Sequence, residues 1–172
     1  QILVEPFCLC DCERYFSHFG FRYSRRQIAE CYMITGGIPY YFSLMDKSLS
    51  LAQNVDNLFF REDSELRDEF SALYRALFRK PEPYITVVTT LANVGKGMTR
   101  RELVSRTGLA DNGAFSSVLE ELEQCGFIRS YLPFGTPALS SENRLPKETL
   151  FQLVDFFTMF YFSFMQKNRY RD

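Results

Sequence analysis

Apolar residues recur at helical spacing through the first half of the chain. Residues 11–19 place Cys12, Tyr15, Phe16 and Phe19 on one side of a helix, after an extended start. Ser24 followed by Gln27 forms a capping box, and Ile28, Cys31, Tyr32 and Ile34 continue as the buried stripe of a second helix. The stretch Ile34-Thr35-Gly36-Gly37-Ile38-Pro39-Tyr40-Tyr41 closes that helix and opens another. Gly36 or Gly37 can take the left-handed cap, and Pro39 suits a first helical turn, where its missing N–H costs nothing. A short third helix is predicted over residues 39–45, and a helix with weak ends over residues 49–60. Residues 64–78 carry the clearest pattern, with Leu66, Phe70, Leu73, Tyr74, Leu77 and Phe78 repeating at three and four. Pro81 and Pro83 then break the chain and mark a boundary.

The rhythm changes beyond that point. A helix over residues 84–93 ends near Gly95 and Gly97. Thr99, with Glu102 three residues on, caps a second helix that puts Leu103 and Val104 inside. Thr107-Gly108-Leu109 is a tight turn, and a third helix over residues 112–125 lines up Phe115, Val118, Leu119 and Leu122. Residues 127–132 predict a strand, a polar loop runs to Lys147, and residues 148–154 return as an antiparallel strand. Three short helices, a turn containing glycine and then a hairpin make a winged helix-turn-helix. The expectation is a mainly α chain in two domains, residues 1–80 as a helical bundle and residues 81–172 as the winged helix with a C-terminal aromatic helix. That last segment, residues 155–166, is almost wholly apolar yet too short to span a bilayer. It must be covered, by this chain's own winged helix or as a platform for a neighbouring domain.

Composition narrows the function classes. The 172 residues include eighteen Phe, ten Tyr and no Trp, and carry a net charge of −1. A nucleic-acid or anionic-membrane binder normally shows a basic surplus. Five cysteines and no apolar run of membrane-spanning length fit a reduced, cytoplasmic chain. Cys8-x-Cys10-x-Cys12 with the single His18 does not match paired zinc ligands, so no metal site is expected and the cysteines are read as small buried hydrophobes. The chain begins at Gln1 without an initiator Met and stops after an apolar segment, which reads as part of a longer protein.

No catalytic constellation is evident. Gly95-Lys96-Gly97-Met98-Thr99 lacks the first glycine of a phosphate loop and no strand precedes it, so it reads as a helix-joining turn. Acid pairs such as Glu62/Asp63 and Glu120/Glu121 read as solvated faces. Direct DNA readout would fall to Asn112, Ser116 and Ser117 on the third helix, with Arg100, Arg101 and Arg106 on phosphates and Arg144 and Lys147 on the wing. That helix carries Glu120, Glu121 and Glu123 and no cation, so protein contacts are the favoured use and DNA binding is expected to be weak.

Several stretches together resemble one family. They are Ile2-Leu3-Val4-Glu5-Pro6-Phe7 with Asp11 and Glu13, Ile28-Ala29-Glu30 leading into Gly36-Gly37-Ile38-Pro39-Tyr40-Tyr41, and the aromatic segment from Asp155. With the winged helix between, they resemble the C-terminal part of archaeal- and bacterial-type P-loop ATPases of the AAA+/STAND group. The resemblance implies that residues 1–80 are a lid, and that the parent protein holds ATP and magnesium in an N-terminal P-loop core. It also implies a further C-terminal domain as a partner. Gly36 and Gly37 would then let the backbone approach adenine and Pro39 would pack against it. This chain carries neither the phosphate loop nor the magnesium-binding acids, so it is expected neither to hydrolyse ATP nor to bind it tightly, and to hold no cofactor itself. The expected role is a non-catalytic lid and winged-helix module coupling nucleotide state to interdomain, protein or DNA contacts, with an oligomer through the aromatic C-terminal helix open and no membrane partner. The alternative is a free-standing winged-helix DNA-binding transcriptional regulator.

Overall fold

Local capping chemistry sets most of the helix boundaries. The structure, a computed structural model, describes residues 5–135 and 146–168. The helices α1 (Leu9–His18), α2 (Arg25–Thr35), α3 (Pro39–Ser43), α4 (Leu51–Val55) and α5 (Glu69–Leu77) are followed by α6 (Glu82–Val94). Next come β1 (Met98–Thr99), α7 (Arg100–Thr107), α8 (Gly113–Gln124), β2 (Ile128–Tyr131), β3 (Leu150–Leu153) and α9 (Phe156–Phe160). Ser24, Ser50 and Thr99 each accept from the backbone N–H three residues on and are bonded back by Gln27, Gln53 and Glu102. Each such box contributes about 1 kcal/mol to the helix it opens. The fold is therefore mainly helical, with one small three-stranded antiparallel sheet.

Two of the expected helices are shorter than their apolar pattern suggests. The 64–78 helix starts only at Glu69, because the Leu66 N–H donates to the Leu58 carbonyl at 3.0 Å instead of joining a helical ladder. Residues 49–60 begin as α4 and end in a widened π-turn, Asp56–Phe60, which turns Leu58 and Phe59 inward.

The chain divides into two compact units. The first comprises the described residues up to Ser71 together with those from Phe156 onward; the second runs from Ala72 to Asp155. The sequence expectation places a boundary at residue 80 and the aromatic helix with the second domain; the compact units divide at Ser71 and group Phe156 onward with the first. The aromatic helix is covered by rings of the first unit. The Phe157 ring lies 5.4 Å from Tyr41, Phe160 5.4 Å from Phe59, and Tyr161 stacks on Phe70 at 4.1 Å, all within the first unit. Elsewhere in that unit Phe16, 1% exposed, meets Phe42, Phe21 and Tyr23 at 4.9, 5.1 and 5.3 Å. The buried Asn54 accepts from the Asp46 N–H and donates to Tyr23 Oη, both at 2.8 Å, so its polar groups are matched. Cys12 and Cys31 are buried as expected, whereas Cys8, Cys10 and Cys125 are exposed.

In the second unit the sheet order is β1-β3-β2. Ile128 pairs with Leu153 and Tyr131 with Leu150, so the two expected strands are present. The addition is β1, where Met98 pairs with Phe151 and Thr99 with Leu150. Two residues between Gly97 and the start of α7 give no alternation to read. The core gathers Tyr74, Val87, Val88, Leu91, Leu103, Leu122 and Ile128, all essentially solvent-free. Glu123, near the end of α8, accepts from both the N–H and the hydroxyl of Ser130 at 2.7 Å and pins β2 to the helix.

Truncating Phe16 to Ala is expected to cost about 3–5 kcal/mol, since four neighbouring rings cannot collapse onto the space it leaves. Denaturant titration followed by far-ultraviolet circular dichroism measures this, with Phe16→Leu expected to lose less than half as much.

Candidate functional site

The glycine corner is built by two consecutive left-handed residues. Gly36 (φ 66°) caps α2, its N–H bonded to the Tyr32 carbonyl at 2.8 Å, and Gly37 (φ 76°) completes the reversal. Pro39 sits at the start of α3 as expected. The close approach that Gly37 permits is to the chain itself. A Cβ there would strike the Phe7 carbonyl oxygen and lie 2.8 Å from the Tyr32 ring. The Phe7 N–H donates to the Gly37 carbonyl at 2.9 Å. On that side of Gly37 there is no free space for an adenine ring. Across α3, Tyr41 Oη donates to Glu69 at the start of α5 at 2.9 Å, and Tyr40 Oη meets Glu65 in the turn ahead of it at 3.3 Å.

The expected DNA-contact residues fall into two groups. Arg100 is fully engaged. Its Nε and Nη2 reach Asp111 Oδ1 at 2.8 and 2.7 Å, Nη1 donates to Ser116 Oγ at 3.0 Å, and Nη2 donates to the Asn112 carbonyl at 3.1 Å. Its guanidinium carbon also lies 5.1 Å from the Phe115 ring centre. Asn112 is the N-cap of α8, its Oδ1 accepting from the Phe115 N–H at 3.2 Å. Arg100, Asn112 and Ser116 therefore hold the α7–α8 turn together. Ser117 donates to the Gly113 carbonyl at 3.3 Å on the exposed face. Arg101 and Arg106 stand exposed around a shallow depression with Thr99, Glu102 and Ser105. Lys147 is exposed, and Arg144 lies outside the described residues. Sequence reasoning missed Asp111 and Phe115 as the partners of Arg100, because residues eleven and fifteen positions away across a turn obey no helical period.

Hydrogen bonds from Thr99, first its N–H and then its hydroxyl, hold the Glu102 carboxyl below its ordinary value of 4.5, with help from Lys96 and Arg106. Burial pushes the Cys12 thiol up to about 11 and Cys31 to about 12, so neither supplies a thiolate at neutral pH. Among the described residues no group of three or more His, Cys, Asp or Glu side chains could hold a metal ion. No helix among them is long and apolar enough to cross a membrane. No protein family, curated protein or solved structure matches this chain.

Arg100→Ala is expected to cost about 1 kcal/mol, while Arg101→Ala stays within about 0.5 kcal/mol of wild type. Parallel urea titrations separate the two. A carboxyl held below its ordinary value contributes stability above that value and loses it as the pH falls through the lowered one. The melting temperature should therefore fall on acidification below about pH 4.5, and Glu102→Gln, which keeps a capping side chain but cannot titrate, should flatten that fall. Thermal melts from about pH 6 down to about pH 3 read the difference.

Proposed function

We propose that this chain is a non-catalytic module of a P-loop ATPase of the AAA+/STAND group, pairing a lid-like helical unit with a winged helix-turn-helix that works through protein contacts. The order α6–β1–α7–α8–β2–β3 supports the winged helix. The helix pair turns at Gly108, a hairpin follows, and the short β1 closes the sheet. The Gly36-Gly37-Ile38-Pro39 corner within a helical unit supports the lid. ATP and magnesium belong to the core that such a module would serve. The close approach that Gly37 permits is taken by Phe7.

One observation carries the choice of protein over DNA. The cation best placed at the front of α8, Arg100, is consumed inside the turn. The solvent face of α8 then presents Ala114, Ser117, Glu120, Glu121 and Gln124, with no Lys or Arg in the helix. A helix of that charge repels phosphates and neutralises none of them. Arg101, Arg106 and Lys96, all exposed, favour the second reading, a free-standing winged-helix DNA-binding regulator.

Fluorescence anisotropy with a labelled duplex separates the readings. At about 150 mM salt the chain is expected to bind no tighter than about 1 µM, without sequence preference. Nanomolar, sequence-dependent binding would establish the regulator instead. Whether the reading frame encoding this chain also encodes a Gly-x4-Gly-Lys-Ser/Thr loop decides the ATPase assignment independently.

A further inference from the structure

We propose that the depression on α7 lined by Thr99, Arg101, Glu102, Ser105 and Arg106 docks an acidic segment of a partner protein. Such docking rests on the protein-contact reading of the winged helix and gives the partner a chemistry. Arg101 and Ser105 stand one helical turn apart, as do Glu102 and Arg106, so the two rows lie side by side. Arg100, at the head of the same helix, meets Asp111 at 2.7 Å. Arg101, Arg106 and Lys96 are exposed and meet no carboxylate within 4 Å among the described residues. Glu102 does not cancel them, because its carboxylate is turned to the Thr99 N–H and hydroxyl at 2.7 and 2.8 Å. Lys96 and Arg106 both help to hold that carboxyl below its ordinary value, which sets the two cations about one point.

The form of the depression selects its occupant. A guanidinium fork meets a carboxylate through two parallel hydrogen bonds, and the Ser105 hydroxyl adds a donor one turn from Arg101. Arg101, Glu102, Ser105 and Arg106 are all exposed, so the depression cannot enclose a free small ligand, which a pocket buries over most of its surface. The acids it receives are therefore carried on a larger body. Three cations suit a segment with two or three carboxylates. They fall short of the run of phosphate contacts that holds a duplex, and the next helix, α8, adds Glu120 and no Lys or Arg.

Nuclear magnetic resonance titration of the full, isotopically labelled chain tests this at about 50 mM salt, where exposed charges are little screened. The probe is the synthetic peptide Gly-Ser-Glu-Glu-Gly-Glu-Glu-Ser-Gly. Shift changes are expected to centre on residues 96–106, and the same peptide with glutamine for each glutamate is expected not to bind. Affinity should fall about tenfold in the double variant Arg101→Ala/Arg106→Ala and stay within about twofold in Arg129→Ala, which removes an exposed cation from β2. Shifts centred on another surface, or a double variant binding as tightly as wild type, would overturn the proposal. So would displacement of the peptide by inorganic phosphate at equal concentration, which marks a small-anion site. A labelled duplex that binds more tightly than the peptide at the same salt overturns both this docking and the protein-contact reading. Failure of peptide and duplex alike sinks the docking alone.

Discussion

Ring-on-ring packing is the constraint on which both units depend. With eighteen Phe and ten Tyr, the chain fills its interior with flat, stiff side chains that bury much area but must meet at set angles. Phe16 sits among four other rings in the first unit, and Tyr161 lies on Phe70 at an interplanar angle of 3°. In the second unit Phe78 and Tyr84 stack at 3.8 Å, and Tyr74 leans on Phe127 at 4.8 Å. The π-turns at Asp56–Phe60 and Tyr161–Met165 fit this demand. An extra residue per turn rotates the following side chains, and both turns fall where aromatic residues crowd a single face.

Polar chemistry in the described residues is largely spent on holding that framework. Arg100 closes a turn, Glu123 fastens a strand, Glu102 caps a helix, and Asn54 matches a buried knot of backbone groups. Side chains committed in this way are poor candidates for recognition, because each would have to give up a partner to gain one. The exposed side chains of α8 are small, acidic or amide, and none is a cation. The preference for protein contacts over nucleic acid follows from this prior commitment of charge as much as from the net charge.

Sequence legibility tracked the range of the interaction involved. Capping boxes act over three residues, and Ser24/Gln27 and Thr99/Glu102 were readable as written. Gly126 and Pro133 flank β2, and Pro146 precedes β3, so both four-residue strands carried sequence punctuation. The start of α5 was not legible, since the bond from Leu66 to Leu58 arrives from another element. Nor was the placement of α9, because an apolar helix announces only that it will be buried and not against which neighbour. At the candidate site the unusual backbone of Gly36 and Gly37 was evident from residue type alone. That the visitor close to Gly37 would be Phe7, thirty residues earlier, was set by tertiary folding and left no local trace.

The two carboxylates that seize strand amides have a consequence for life in a crowded solution. β1 and β2 are the outer strands of the sheet, and an outer strand with free N–H groups is a template for another chain. Glu102 takes the Thr99 N–H and Glu123 takes the Ser130 N–H, so each rim carries a negative charge where a stranger's carbonyl would dock. In a sequence this rich in aromatic residues, those two outer-strand amides are closed to an added strand by the chain's own carboxylates.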